Sequence, residues 1–362
     1  MRIGFITVGD TARLTGGYLY HREVFARLRA AGHSIDEIVA SEADEVAQQV
    51  AAPELDRQVD PHSYNALVID ALARIAVAPW ADRWRATRPL VALVHELPSV
   101  AAGPGAQAAE LAFEQPLLRA DRLIAVSDDG AVILAGRGVA RERIIVASGG
   151  YDRLMVGNRR RMGEGGSIPS TVHRPPSRPI VALCVAQWIA RKGILELVQA
   201  WNVTERPGAR LELVGETMAD PAYAAALRAA IDAVPQANIV VRGQLSDAEL
   251  AVAYASADLF VLPSNYEGYG IAFAEALSYG LPVLGCAVGP LPALVGPAAG
   301  LLVPPGDGPT LAVALGRLLS DEALRARMGA AALERTRSLP TWQSTAQNFL
   351  AALQAAIGGR NG

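Results

Sequence analysis

Hydrophobic and polar positions follow two alternating patterns along this chain. "RIGFITV" (2–8) is an apolar run that predicts a strand, and "GYLYHREVFARLRAAGH" (17–33) then repeats apolar residues at helical spacing and stops at Gly32. "ALVID" (66–70), "LVALVH" (90–95), "RLIAVS" (122–127) and "RIIVAS" (143–148) predict further strands. The second half repeats the theme with "PIVALCVA", "RLELVG", "NIVVRG", "LFVLPS", "PVLGCA" and "GLLVP". Strands that are apolar on both faces and joined by helices belong to parallel sheets covered on both sides. Between the halves, "RRRMGEGGSIPSTVHRPPSRP" (159–179) loses periodicity and becomes rich in Gly, Pro, Ser and Arg, the texture of an exposed linker. The pattern predicts an α/β protein of two doubly wound, Rossmann-like domains facing across a cleft. The first spans 1–152, a linker 153–178 and the second domain 179–338. Residues 339–362 carry an amphipathic helix, "PTWQSTAQNFLAALQAAI", opened by Thr341. Ligands of such sheets bind at the carboxyl ends of the strands.

Composition narrows the class. Of 362 residues, 51% are hydrophobic and 19% charged, enough for a large core and unlike a disordered chain. No apolar run approaches the ~18 residues of a membrane span, and "MRIGFITVGD" lacks the apolar stretch and cleavage site of a signal peptide. A cytoplasmic location is expected. The net charge of −3 argues against a nucleic-acid binder. Cys184 and Cys286 sit in apolar strand-like runs and read as buried reduced thiols. "PWADRWRATRP" (79–89) sets Trp80 and Trp84 one turn apart among Arg83, Arg85 and Arg88. It is either a basic amphipathic surface for peripheral contact with anionic lipid, or a helix with its indoles packed inward, which is the favoured reading.

The candidate chemistry lies at strand ends. "SNYEGYGIAFAEALSYGLPVLG" (264–285) follows a strand with a glycine-broken turn and a helix beginning near Ile271. Backbone N–H groups of Gly270, Ile271 and Ala272 at that helix start favour an anion. Glu267 in the turn and Glu275 one turn into the helix either accept hydrogen bonds from sugar hydroxyls or merely cap and solubilise the helix. In "AQWIARKGILELVQAW" (186–201), Arg191 and Lys192 stand at the carboxyl end of another strand, expected to open a helix. They are either solvated or set to neutralise a diphosphate, and two cations at a helix start run against its dipole unless an anion binds. Gly16 and Gly17 form either a tight turn or a close backbone approach to phosphate. His95 closes a buried strand, as a packing residue or as a group at the cleft mouth. An Asp-x-Asp dyad, a His/Cys ligand cluster and a G-x-S-x-G elbow are not found, so neither metal dependence nor serine hydrolase chemistry is expected.

Together these residues resemble the retaining glycosyltransferases of family 4, with the two-domain GT-B fold. The family's E-x-F/Y-G with a second glutamate eight residues on stands here as "PSNYEGYGIAFAEALSYGLPVLG". The likeness extends through "GQLSDAELAVAYASADLFVLPS" (243–264), "VGPLPALVGPAAGLLVPPGD" (288–307), "GGYLYHREVFARLRAAGH", "ADRLIAVSD" (120–128) and "GGYD" (149–152). The resemblance implies that Glu275 binds the ribose of a nucleotide-sugar donor and Glu267 the transferred sugar. Gly270 and Ile271 would hold the diphosphate, Lys192 its charge, and Gly16 and Gly17 would touch it from the other domain. Gly243, Gln244 and Leu245 would border the base, His95 would stand near the donor sugar, and the helix around Trp342 would cross back to the first domain. It further implies an acceptor hydroxyl on a small molecule, glycan or lipid-linked partner, with no cofactor and no metal. Gln187 occupies the position where the family often has Arg, and it cannot neutralise a phosphate. The implied activity is sugar transfer with retention. The alternatives are a GT-B-type epimerase or hydrolase, and a nucleotide-sugar-binding subunit without turnover.

Overall fold

The computed structural model describes residues 1–11, 13, 15–40, 45–101, 104–155, 178–205 and 207–360. They form two compact units, one of residues 1–149 with 340–362 and one of residues 150–339. Most of the expected linker, residues 156–177, lies outside the described residues.

The first unit begins with β1 (Arg2–Val8), α1 (Gly16–Ala30), β2 (Ser34–Ala40), α2 (Glu45–Gln58), β3 (Ala66–Asp70), α3 (Arg74–Val77) and α4 (Ala81–Thr87). It continues with β4 (Leu90–Val94), α5 (Pro98–Ala101), α6 (Pro104–Leu118), β5 (Arg122–Ala125), α7 (Asp128–Gly136) and β6 (Ile144–Val146). All pairings in its sheet are parallel, in the order β2-β1-β3-β4-β5-β6. β3 and β4 are buried at every position, as strands covered on both faces must be.

The second unit runs β7 (Ile180–Val185), α8 (Ile194–Val203), β8 (Ala209–Val214), α9 (Pro221–Asp232), β9 (Ile239–Gly243), α10 (Asp247–Ser256) and β10 (Leu259–Leu262). It then adds α11 (Ile271–Ser278), β11 (Val283–Cys286), α12 (Leu291–Ala299), β12 (Gly300–Val303), α13 (Gly308–Ser320) and α14 (Glu322–Thr336). Its sheet is also parallel, in the order β12-β11-β10-β7-β8-β9.

The chain then returns to the first unit as α15 (Trp342–Gly358), whose N-cap Thr341 accepts from the Ser344 N–H at 3.2 Å. α15 lays Trp342 and Phe349 against Tyr20 and Phe25 of α1, with ring centroids 5.8 and 6.1 Å apart. Thr345 Oγ1 donates to the Ser148 carbonyl at 2.6 Å. Aromatic burial of this kind, with edge-to-face geometry, holds a terminal helix in place.

The structure adds a strand that the pattern did not predict, moves one helix start and bears out the inward packing of the tryptophans. β2 carries Asp36 and Glu37 in an alternating edge strand, so it shows no continuous apolar run, as suits an edge. Arg191 and Lys192 occupy a single 3-10 turn, and α8 opens only after Gly193. The tryptophans of 79–89 are packed inward. Trp84 is buried with Nε1 donating to Asp56 Oδ1 at 3.0 Å, and Trp80 Nε1 donates to the Ala52 carbonyl at 2.8 Å. Cys184 and Cys286 are buried free thiols. Among the described residues no helix is long and apolar enough to cross a membrane.

Candidate active site

In the second sheet the strand order reverses between β7 and β10, and a reversal of this kind opens a crevice at the carboxyl ends of the two strands. The loop after β7 and the loop after β10 meet there. Gly193 adopts φ +66°, and a Cβ on it would lie 2.1 Å from the Pro263 carbonyl oxygen. Only glycine lets the loops approach so closely. The Asn265 N–H donates to the Arg191 carbonyl at 2.8 Å and fastens them. The result is a pair between Lys192 Nζ and Glu267 Oε1 at 2.6 Å, with Ser264 Oγ donating to the same oxygen at 2.7 Å. Glu267 is buried, and a buried carboxylate persists when it is paired and hydrogen-bonded in this way. Arg191 belongs to the same loop contact, its Nη1 3.4 Å from the Tyr266 carbonyl. Gln187 turns aside and donates from Nε2 to Glu216 Oε2 at 2.6 Å.

Beside this pair α11 begins without a capping side chain and without an acidic residue in its first turn. Its N-cap, Gly270, takes φ +101°, and a Cβ there would come within 2.8 Å of Leu291 Cδ2. The amides of Ile271 and Ala272 therefore start a helix whose first turn carries neither a capping side chain nor an acidic residue of its own.

Glu275, buried one turn into α11, enters a second network. Arg153 donates to Glu275 Oε1 from Nε at 2.9 Å and from Nη2 at 2.7 Å, and its Nη1 pairs with Asp247. Burial pushes the Glu275 carboxyl above its usual range, against the pull of the Arg153 charge. Asp247 is the first residue of α10, and Gly243, Gln244 and Leu245 lie just before it, with Gly243 at φ +66°. Sequence reasoning missed Arg153. It directly follows the quoted "GGYD", but only the fold brings it to a helix more than a hundred residues away.

In the first sheet the order reverses between β1 and β3. Gly16 and Gly17 are the first residues of α1, whose N-cap Thr15 accepts from the Tyr18 N–H at 3.4 Å. A Cβ on Gly17 would stand 3.7 Å from the His95 ring, whereas one on Gly16 would meet nothing within 4 Å. One helical turn after Gly17, His21 sits with Nε2 2.9 Å from His95 Nε2 and 3.5 Å from Asp70 Oδ2. Asp70 also accepts from Thr7 Oγ1 at 2.8 Å and from the Leu72 N–H at 3.0 Å. Burial holds His21 well below its ordinary range and lowers His95 to about 4, while it raises Asp70 to about 7. Two neutral imidazoles thus share one proton over a carboxyl group that is easily protonated.

This cluster corrects the expectation that no histidine-based ligand cluster exists: His21, Asp70 and His95 place metal-capable atoms within 4.8 Å of one another. Their separation in sequence hid it. Two signals were readable. His21 lies on the stripe of Val24, Phe25 and Leu28, and Asp70 is the lone acid ending an apolar strand. The 2.9 Å contact between the ring nitrogens has the length of a hydrogen bond, and His21 Nδ1 has no partner, unlike the second nitrogen of a typical metal-bound histidine.

Two Rossmann-like units, each with its polar residues at a strand-order reversal, define the GT-B fold of glycosyltransferases. Residues 170–335 match the family described as glycosyl transferases group 1. The chain is 32% identical over 186 residues to the GDP-mannose-dependent monoacylated alpha-(1-6)-phosphatidylinositol monomannoside mannosyltransferase of Corynebacterium glutamicum, covering 49% of this chain and 47% of that protein. It is 30% identical over 298 residues to the D-inositol 3-phosphate glycosyltransferase of Nocardia farcinica, covering 76% and 63%. The chain thus spans less than two thirds of the length of these curated relatives. Among solved structures, sucrose-phosphate synthase from Thermosynechococcus elongatus superposes with a TM-score of 0.79 at 25% identity, over 99% of this chain and 100% of that one. The Anabaena protein HepE, in complex with UDP and glucose, gives 0.76 at 18% identity over 98% and 99%, a likeness of fold.

Proposed function

We propose that this protein is a retaining glycosyltransferase that moves a sugar from a nucleoside diphosphate sugar to an acceptor hydroxyl without a metal ion. The observation that carries this reading is the Lys192–Glu267 pair at the β7/β10 reversal, beside the uncapped start of α11. The lysine and the amides of Gly270, Ile271 and Ala272 hold the diphosphate, and Glu267 receives hydroxyls of the transferred sugar. Glu275, with Arg153 at its side, receives the ribose. As the bond from the anomeric carbon to the phosphate oxygen breaks, charge grows on the leaving diphosphate. One well-placed charged donor is worth roughly 3 kcal/mol at that stage. The acceptor oxygen bonds to the same face of the anomeric carbon, and its proton passes to the departing phosphate oxygen. Within the first unit, Gly16 and Gly17 leave room for a phosphate beside His95, which burial keeps neutral.

The relatives suggest which donors to try first, since one is named as GDP-mannose-dependent and HepE was solved with UDP and glucose. The test is a thermal-shift screen of nucleoside diphosphates and their sugars, because a ligand of the folded state alone raises the melting temperature with concentration. It is followed by product detection with hydroxyl acceptors, phosphorylated polyols included. A sugar nucleotide that both stabilises the protein and is transferred with its anomeric configuration kept supports the proposal, whereas an inverted product refutes it. A second reading, a nucleotide-sugar-binding subunit without turnover, is favoured by Gln187, which bonds to Glu216 and supplies no cation. Binding without transfer to any acceptor would select it.

A further inference from the structure

At the amino-terminal edge of the first sheet, the end opposite Gly17 and His95, four arginines surround one carboxylate. Arg85 leaves the end of α4, Arg122 opens β5, Arg143 precedes β6 and Arg360 follows α15. Together with Asp121 they line a cavity of about 270 Å³. Four guanidinium groups against one carboxylate leave an excess of three positive charges among these lining residues. Asp121 is already shared: Arg85 Nε reaches its Oδ1 at 3.3 Å, Arg360 Nη2 its Oδ2 at 2.8 Å, and the Leu90 N–H the same Oδ2 at 2.8 Å. Arg122 Nη1 donates to its carbonyl at 2.8 Å. Arg143 donates to the carbonyls of Leu118 and Ala120. Partial burial and the Arg85 and Arg122 charges hold Arg143 below its ordinary range, against Asp121 and the adjoining Glu142. A second cavity, of about 430 Å³, shares Arg360 and is lined by Arg88 and the polar residues His62, Ser63, Asn65 and Thr87.

Four guanidinium groups around a single carboxylate leave a positive hollow that an anion can complete, and planar guanidinium groups match phosphate oxygens. We propose that this edge of the first unit is a binding site for a small phosphate monoester of a sugar or polyol. Its phosphate lies among Arg85, Arg122, Arg143 and Arg360, and its hydroxyls reach the second cavity. The site is separate from the proposed donor site in the second unit and does not rest on the catalytic reading. Because Arg360 lies just past the end of α15, and α15 packs through Trp342 and Phe349 on Tyr20 and Phe25 of α1, occupancy would tighten that packing.

Calorimetric titration with a hexose 6-phosphate at low ionic strength tests the site in the wild type, in Lys192→Ala and in an Arg85→Gln/Arg122→Gln variant of the full chain. The proposal expects unchanged binding in Lys192→Ala, at least tenfold weaker binding in the double variant and loss of affinity with added salt. The single Arg85→Gln, whose side chain is 40% exposed, gives an intermediate loss if the double variant fails to fold. A parallel arm with vesicles containing phosphatidic acid distinguishes a lipid headgroup from a soluble ester as the source of the phosphate; arginine-dependent binding in either arm supports the site. Binding in neither arm, or binding that the arginine substitutions leave unchanged, overturns it.

Discussion

Arg153 closes on Glu275 with two nitrogens on one carboxylate oxygen, at 2.9 and 2.7 Å, across 122 residues of chain. Their side chains are only 6% and 3% exposed, so the Glu275 charge depends on Arg153, which Asp247 also pairs. Removing one partner of such a buried pair strands the other, at about 3–5 kcal/mol. Arg153→Ala should therefore lower the urea-unfolding free energy by that amount, and adding Glu275→Gln to it should recover part of the loss. A double variant no more stable than the single one would show that the pair is not coupled.

Lys192→Ala removes the cation facing Glu267. Loss of one charged donor to a developing oxyanion costs roughly a hundredfold to a thousandfold in kcat, and steady-state kinetics with the preferred donor should show a fall of that size. Turnover within a factor of three of wild type would remove Lys192 from the chemistry.

The glycines separate stability from function. Gly193→Ala places a methyl 2.1 Å from the Pro263 carbonyl in a left-handed conformation, and should cost roughly 1–3 kcal/mol while pushing Lys192 away from Glu267. Gly16→Ala meets open space on its own helix and should leave the melting temperature unchanged or slightly raised, while turnover falls if phosphate approaches there. Equal losses of stability in the two variants, read by thermal melting, would contradict this division.

Acid acts on the His21–Asp70–His95 cluster with a definite sign. Below pH 6.5 the unfolded chain protonates both histidines, whereas the folded chain keeps His95 neutral down to about pH 4 and, through burial, holds His21 well below its ordinary range as well. The unfolded state then binds more protons, so stability rises with pH across that window. Asp70 works in the opposite sense, holding its proton up to about pH 7 in the folded chain and only to 3.8 otherwise. Two histidines against one carboxyl leave a net rise from pH 4.5 to 6.5. Unfolding in urea at those two pH values should show it, with a shallower slope in His95→Gln; an unchanged slope would mean that His95 is not held neutral.

The strands of both sheets, the turn at Ser264–Gly270 and the start of α11 were legible because apolar runs, glycines and local spacing encode them. β2 escaped because an edge strand needs only one apolar face. Lys192 was readable as a strand-end cation, but its place in a 3-10 turn depends on the contact of Gly193 with Pro263. His21 and Asp70 left local signals of burial, but their partners, like that of Arg153, are set by tertiary approach, which no local pattern records. The tryptophans of 79–89 were ambiguous as sequence, and their hydrogen bonds to α2 resolve the ambiguity.

The central claim is that Lys192 and the start of α11 grip a diphosphate, and calorimetric titration of UDP and GDP into wild type and Lys192→Ala tests it most directly. A charged hydrogen bond worth about 1.5–3 kcal/mol predicts a tenfold to hundredfold loss of affinity for whichever nucleotide the wild type binds. Equal affinity in the two proteins would contradict the account.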